Sequence, residues 1–125
     1  MSFSYTKAAA ILNQEFRSGT VYLALYTSNP TAADTGTEVS GAGYVRMPIT
    51  FSPPTVENGK QTIKNDAKVE FPVAESDWGT ITHIGLRDAA IGGNLIAFAE
   101  LASPKTIQTG DRFVIDLNSG VVRLL

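Results

Sequence analysis

Beyond residue 20 the chain alternates. Val21, Leu23 and Leu25 alternate with Tyr22, Ala24 and Tyr26; Ala67, Val69 and Phe71 with Lys68 and Glu70; Phe113, Ile115 and Leu117 with Arg112, Val114 and Asp116. A period of two sends successive side chains to opposite faces, so each run predicts a half-buried β-strand. Less regular runs at Val45–Phe51, Thr80–Leu86, Leu95–Leu101 and Val121–Leu125 extend the pattern. Turn chemistry separates them at Asn58-Gly59, Gly92-Gly93-Asn94, Thr109-Gly110-Asp111 and Ser119-Gly120. About seven or eight short strands result.

The period changes ahead of the first strand. Ala8, Ile11, Leu12, Glu15 and Phe16 follow helical spacing and predict one helix over Tyr5–Phe16, with Ser4 as its N-cap and Gly19 just past its end. So short a helix is marginal by itself, and its Ile11/Leu12/Phe16 face must pack on the sheets or on a neighbouring chain. No helical pattern alternates with the strands, which argues against βαβ units and a parallel sheet. The expected fold is mainly β: an antiparallel β-sandwich, jelly-roll or immunoglobulin-like, with one short N-terminal helix and a small closed barrel as the alternative. At 125 residues, a single domain spanning 1–125 is expected.

Two stretches fit neither period. Ser28–Tyr44 is long for a loop and built of small and polar residues, which marks a functional or mobile segment. Pro53-Pro54 interrupts any central strand, because proline cannot donate to the ladder.

Composition narrows the function. Hydrophobic residues at 43% and charged residues at 18% argue for a packed core, and no apolar run is long enough to cross a bilayer. Ten Lys and Arg against twelve Asp and Glu give a net charge of -2, so no positive field gathers phosphates, and neither nucleic acid nor membrane is an expected partner. The absence of cysteine removes disulfides, thiolate metal sites and cysteine nucleophiles. Met1-Ser2-Phe3-Ser4 lacks the features of a signal peptide, so folding in the cytoplasm is the default expectation.

Candidate chemistry is sparse. His83 is the only histidine, and Ser76, Asp77 and Asp88 lie near it in sequence, yet no strand-to-helix elbow presents Ser76 and no separate oxyanion donor is visible. Packing or an interface is the favoured reading of His83, and no catalytic residue is assigned. Asp34-Thr35-Gly36-Thr37-Glu38 lacks the ligand spacing of a calcium loop and reads as a solvated turn. Gly41-Ala42-Gly43 and Gly92-Gly93 lack the strand-then-helix context of a phosphate loop. No metal or cofactor is expected. Trp78, with Tyr22 and Tyr26, could form an aromatic platform for a sugar, but core or interface packing is the stronger reading. The apolar run Gly120–Leu125 suggests that the termini dock on another subunit, the alternative being a strand inside the sandwich.

The ordered set Val21-Tyr22-Leu23-Ala24-Leu25-Tyr26-Thr27-Ser28-Asn29-Pro30 and Thr37-Glu38-Val39-Ser40-Gly41-Ala42-Gly43-Tyr44-Val45-Arg46 resembles a family of small tailed-bacteriophage virion proteins. Val69-Glu70-Phe71-Pro72, Asp77-Trp78-Gly79 through His83, and Gly92-Gly93-Asn94-Leu95 add to the resemblance, which covers roughly Val21–Gly110. It implies a non-enzymatic virion building block assembled in the host cytoplasm. Its main expected role is capsid decoration or cementing on the major capsid protein lattice. A tail, tail-fibre or baseplate structural protein is the alternative, and a carbohydrate-binding module the third reading. The partner is then the major capsid protein or another virion structural protein, with homo-oligomers, trimers among them, expected at a symmetry axis. The candidate interface residues are Ile11, Leu12 and Phe16 on the helix, Tyr44 and Arg46 after the long loop, Trp78, and Val122 and Leu124 near the C-terminus.

Overall fold

A computed structural model describes residues 1–124. Leu125, the last residue of the final expected strand, lies outside the described residues. The helix α1 runs from Tyr5 to Phe16, as its periodicity predicts, and the Ser4 hydroxyl accepts the Lys7 amide at 3.2 Å. Its far end closes differently from expectation. Gly19 does not adopt a left-handed conformation. Instead the Arg17 amide donates to the Asn13 carbonyl at 3.1 Å, and the Arg17 Nε donates to the Phe51 carbonyl at 3.2 Å. Ala8, Leu12 and Phe16 form the buried stripe, and Phe16 meets Phe51 edge-on at 5.9 Å.

The strands are β1 (Val21–Tyr26), β2 (Met47–Ile49), β3 (Thr55–Glu57), β4 (Lys60–Lys64), β5 (Val69–Glu70), β6 (Gly79–Arg87), β7 (Leu95–Ile107), β8 (Val114–Ile115) and β9 (Val121–Leu124). They form a four-stranded sheet in the order β2-β1-β6-β7, a three-stranded sheet β3-β4-β9 and a pair β5-β8, every ladder antiparallel. The two smaller sheets face the larger one in a sandwich-like arrangement. Leu23 and Leu25, Ile63, Phe71, Trp78, Ile81 and Phe113 share the core between them. Phe71 stands edge-on to Phe113 at 5.7 Å and lies parallel to Tyr44 at 6.1 Å, so the pair β5-β8 is held to the core largely by aromatic packing.

Three of the departures from the sequence pattern bear on the core. The runs Ala67–Phe71 and Arg112–Leu117 pair as a regular ladder over only two residues each, and beyond it the two segments stay joined by single backbone bonds, Phe71 N–H to Phe113 O at 3.0 Å and Ala74 N–H to Asp111 O at 2.8 Å. Strand β4 is unexpected. Its sequence Lys-Gln-Thr-Ile-Lys is mostly polar, yet Gln61, Thr62 and Ile63 are all buried, since α1 covers it and the Gln61 Nε2 donates to the Tyr5 carbonyl at 3.1 Å. Third, β1 is buried on both faces except at Tyr22; residues 37–39 pair beside its end and Arg87 bonds the Tyr26 hydroxyl.

Asn65, fully buried after β4, fixes the start of β9. Its Nδ2 donates to the Ala67 and Asp116 carbonyls, both at 2.9 Å, and its Oδ1 accepts the Gly120 amide at 2.8 Å. One amide side chain thus satisfies three backbone groups where a second strand would otherwise be needed.

Candidate interaction surfaces

The long segment Ser28–Tyr44 is tied down at both ends. Its far part runs back beside β1: Thr27 N–H donates to Thr37 O and Val39 N–H to Leu25 O, both at 2.9 Å, and Glu38 pairs with Tyr26 in an isolated antiparallel bridge. Between these points Asp34 and Glu38, expected in a solvated turn, each receive an arginine. Arg46 donates through Nε and Nη2 to the two oxygens of Glu38, both at 2.8 Å. Arg87 donates through Nη1 and Nη2 to the two oxygens of Asp34, at 2.8 and 2.9 Å. Such bidentate forks combine charge with fixed geometry. Both guanidinium groups also reach the turn between β6 and β7. Arg46 Nη1 donates to Ala89 O at 2.9 Å and Gly92 O at 2.8 Å, and Arg87 Nη2 donates to Gly93 O at 2.9 Å.

Protonation follows from this geometry. The hydrogen bonds from Arg87 hold the Asp34 carboxyl below the usual carboxylate range against partial desolvation. Burial pushes Glu38 up, but the bonds from Arg46 and Tyr44 outweigh it and the carboxyl also lies below that range. Burial and the bond to Glu38 push the Tyr44 phenol well up, so it donates to Glu38 at 2.5 Å while its oxygen accepts the Leu25 amide at 3.1 Å.

Three of the expected interface residues therefore have full employment within the chain. Tyr44 and Arg46 belong to this polar cluster. Trp78 is buried at 4% exposure, its Nε1 donates to the Ala42 carbonyl at 3.0 Å, and its ring meets Tyr44 edge-on at 5.5 Å. In this structure these aromatics and this arginine pin the chain's own loop. Tyr26, the other aromatic considered with Trp78, is buried at 1% exposure with its hydroxyl accepting from Arg87 Nη1 at 3.0 Å. The sequence reading missed Arg87 and Asp34. Its available signal was a charged residue closing an apolar strand directly before a glycine-rich turn.

The remaining candidates lie on another side of the molecule. Leu12 and Phe16 are buried against the sheets, whereas Ile11, Val122 and Leu124 are half-buried and border a groove of about 490 Å³ between α1, β9 and the β6–β7 turn. A narrower cleft of about 280 Å³ opens between β7 and β9, each at the edge of its sheet, and is lined by Ile84, Leu86, Ala97 and Phe98 on one wall and Val121 and Val122 on the other. Phe98 and Val121 stand partly in solvent at its mouth.

The groups considered for catalysis are dispersed. His83 Nδ1 shares a hydrogen bond with its neighbour Thr82, Ser76 accepts from the Ala42 amide, Asp77 accepts from Thr109, and Asp88 accepts from Asn94. Each holds a local turn or strand, and none of these bonds links Ser76, Asp77 or Asp88 to His83. Among the described residues no cluster of three or more His, Cys, Asp or Glu is placed to hold a metal ion. Among the described residues no helix is long and apolar enough to cross a membrane.

No curated protein matches the chain. A family match does exist, and it extends from residue 2 to residue 123, over the helix, both loop anchors and all nine strands but for one terminal position. With that extent of agreement, the chain belongs to the family described as podophage GP4 fiber I protein gp80.

Proposed function

We propose that this protein is a non-enzymatic structural subunit of a phage tail fibre, joined to other virion proteins rather than acting on a substrate. The observation that carries the reading is the family match over residues 2–123, whose description is that of a fibre protein. The arrangement of polar groups is compatible with it: the arginines, carboxylates and aromatic hydroxyls engage one another and the backbone in rigid loop anchoring, which suits a building block. The fibre role thereby takes precedence over the capsid-decoration role that the sequence favoured. Assembly in the host cytoplasm followed by incorporation in the virion, and association of like copies with trimers as one arrangement, complete the proposal.

Copy number separates the two structural roles. Quantitative mass spectrometry of purified particles against the major capsid protein is expected to give a ratio below about one-tenth for a protein confined to the tail. A ratio near one, or a simple lattice fraction, supports decoration of the shell instead and overturns the fibre reading. Absence from particles overturns both.

A further inference from the structure

Loop 28–44 and the turn 88–94 are separated by more than forty residues, yet every described bond from the Arg46 and Arg87 side chains ends on one of the two or on Tyr26 beneath them. The Gly92 carbonyl accepts from both, at 2.8 Å from Arg46 and 3.3 Å from Arg87. Neither guanidinium can release one segment and keep its environment. If Asp34 leaves, the cation of Arg87, whose side chain is only 9% exposed, loses its carboxylate while still holding two turn carbonyls and the Tyr26 hydroxyl. A largely buried charge stripped of its counter-ion is strongly unfavourable, so the remaining bonds rearrange with it.

We propose that the two arginine forks form one latch, so that loop 28–44 and the turn 88–94 open and close as a single unit on sheets that stay folded. The closed latch fixes the turn that carries Ile91, which is 90% exposed and, among the described residues, is the most solvent-accessible large apolar side chain after Met1. The charged and titratable groups facing the latch are Asp34 and Glu38 from the loop, Arg46 from the chain leading into β2, Arg87 and Asp88 at the end of β6, and the hydroxyls of Tyr26 and Tyr44. Both partner carboxyls titrate below the ordinary range, so mild acid leaves the latch closed and only stronger acid opens it.

Hydrogen exchange on the full chain tests the coupling. Asp34→Asn keeps a residue that tolerates the left-handed backbone at this position, where φ is 58°, and touches only the loop side directly. Expected in this variant is exchange faster by about tenfold or more in residues 88–94 as well as in 28–39, the loss of one charge-assisted bond being of that size. Amides of β1 and β6 should keep wild-type protection. Glu38→Gln should give the same two-segment pattern through the other arginine. Acceleration confined to the mutated loop, with 88–94 at the wild-type rate, overturns the proposal. So does equal loosening of β1 and β6, which would make the loops part of the global folding unit.

Discussion

The loop end of the molecule and its β7–β9 side solve opposite problems. At the loop end, long connections lacking regular structure are held by charge-assisted hydrogen bonds from Arg46 and Arg87 and by the buried indole of Trp78. At the β7–β9 side, regular strands leave an apolar cleft and the half-exposed side chains of Phe98 and Val121. The difference teaches that secondary structure and rigidity are separate properties. A loop becomes rigid when each of its polar groups has a defined partner. A strand at a sheet edge keeps one row of backbone groups without a ladder partner, whatever its length.

The largest expected effect comes from removing the inner wall of the loop end. Trp78→Ala should lower unfolding free energy by about 3–5 kcal/mol through the cavity it leaves, the Ala42 carbonyl keeping the Glu75 amide, and a urea titration followed by circular dichroism measures it. A loss under about 1 kcal/mol would show that the loop end is not packed as tightly as the comparison requires.

On the opposite side, the counterpart is Asn65. Replacing it by Ala strips partners from Ala67 O, Asp116 O and Gly120 N–H, with an expected loss of about 1–3 kcal/mol in the same titration. Faster exchange should concentrate in β9 and its pairing with β4, sharpening the contrast with the loop end, whose amides should be unaffected.

Acid probes the loop end through its two fork carboxylates. Asp34 and Glu38 are depressed in the folded chain, so their stabilisation is complete above the unfolded carboxylate values near ~4 and disappears as pH falls through the lower folded values. Stability is therefore expected to be flat in this contribution from neutral pH to about 5 and to fall below about 4. The double variant Asp34→Asn, Glu38→Gln should show a shallower acid limb than the wild type. An identical slope would show that exposed pairs such as Glu57–Lys64 and Glu70–Lys68 account for the acid response instead.

The smallest effect on stability belongs to the open cleft. Phe98→Ser should lower unfolding free energy by about 1 kcal/mol, because the ring is 41% exposed and gives up only part of its burial. Light scattering at high protein concentration should nevertheless show weaker self-association, as a polar residue interrupts the apolar edge. A large stability loss would mean that the cleft is as closed in solution as the loop end.

Local pattern carried much of the fold. Helix α1, β1 and the start of β7 follow directly from periodicity, and Ser4 caps the helix as its side chain dictates. Strand β4 was illegible because its burial is caused by α1, more than forty residues away, and a polar Gln61 reads as surface until the Tyr5 carbonyl is beside it. The interface candidates divide similarly. Residue type selected Tyr44, Arg46 and Trp78 as contact makers, and in the structure all three bond to this chain's own loops.

By itself the sequence determined the mainly antiparallel β class, the N-terminal helix and the kinship with phage virion proteins, since all three depend on residue order within short windows. Only the tertiary structure decided which strands share a sheet, that Asp34 and Glu38 are fork acceptors, and that an apolar cleft lies between β7 and β9. The physical reason is range. Periodicity records which face of a segment avoids water, whereas a salt bridge between residues 34 and 87 exists only after the chain has closed the distance between them.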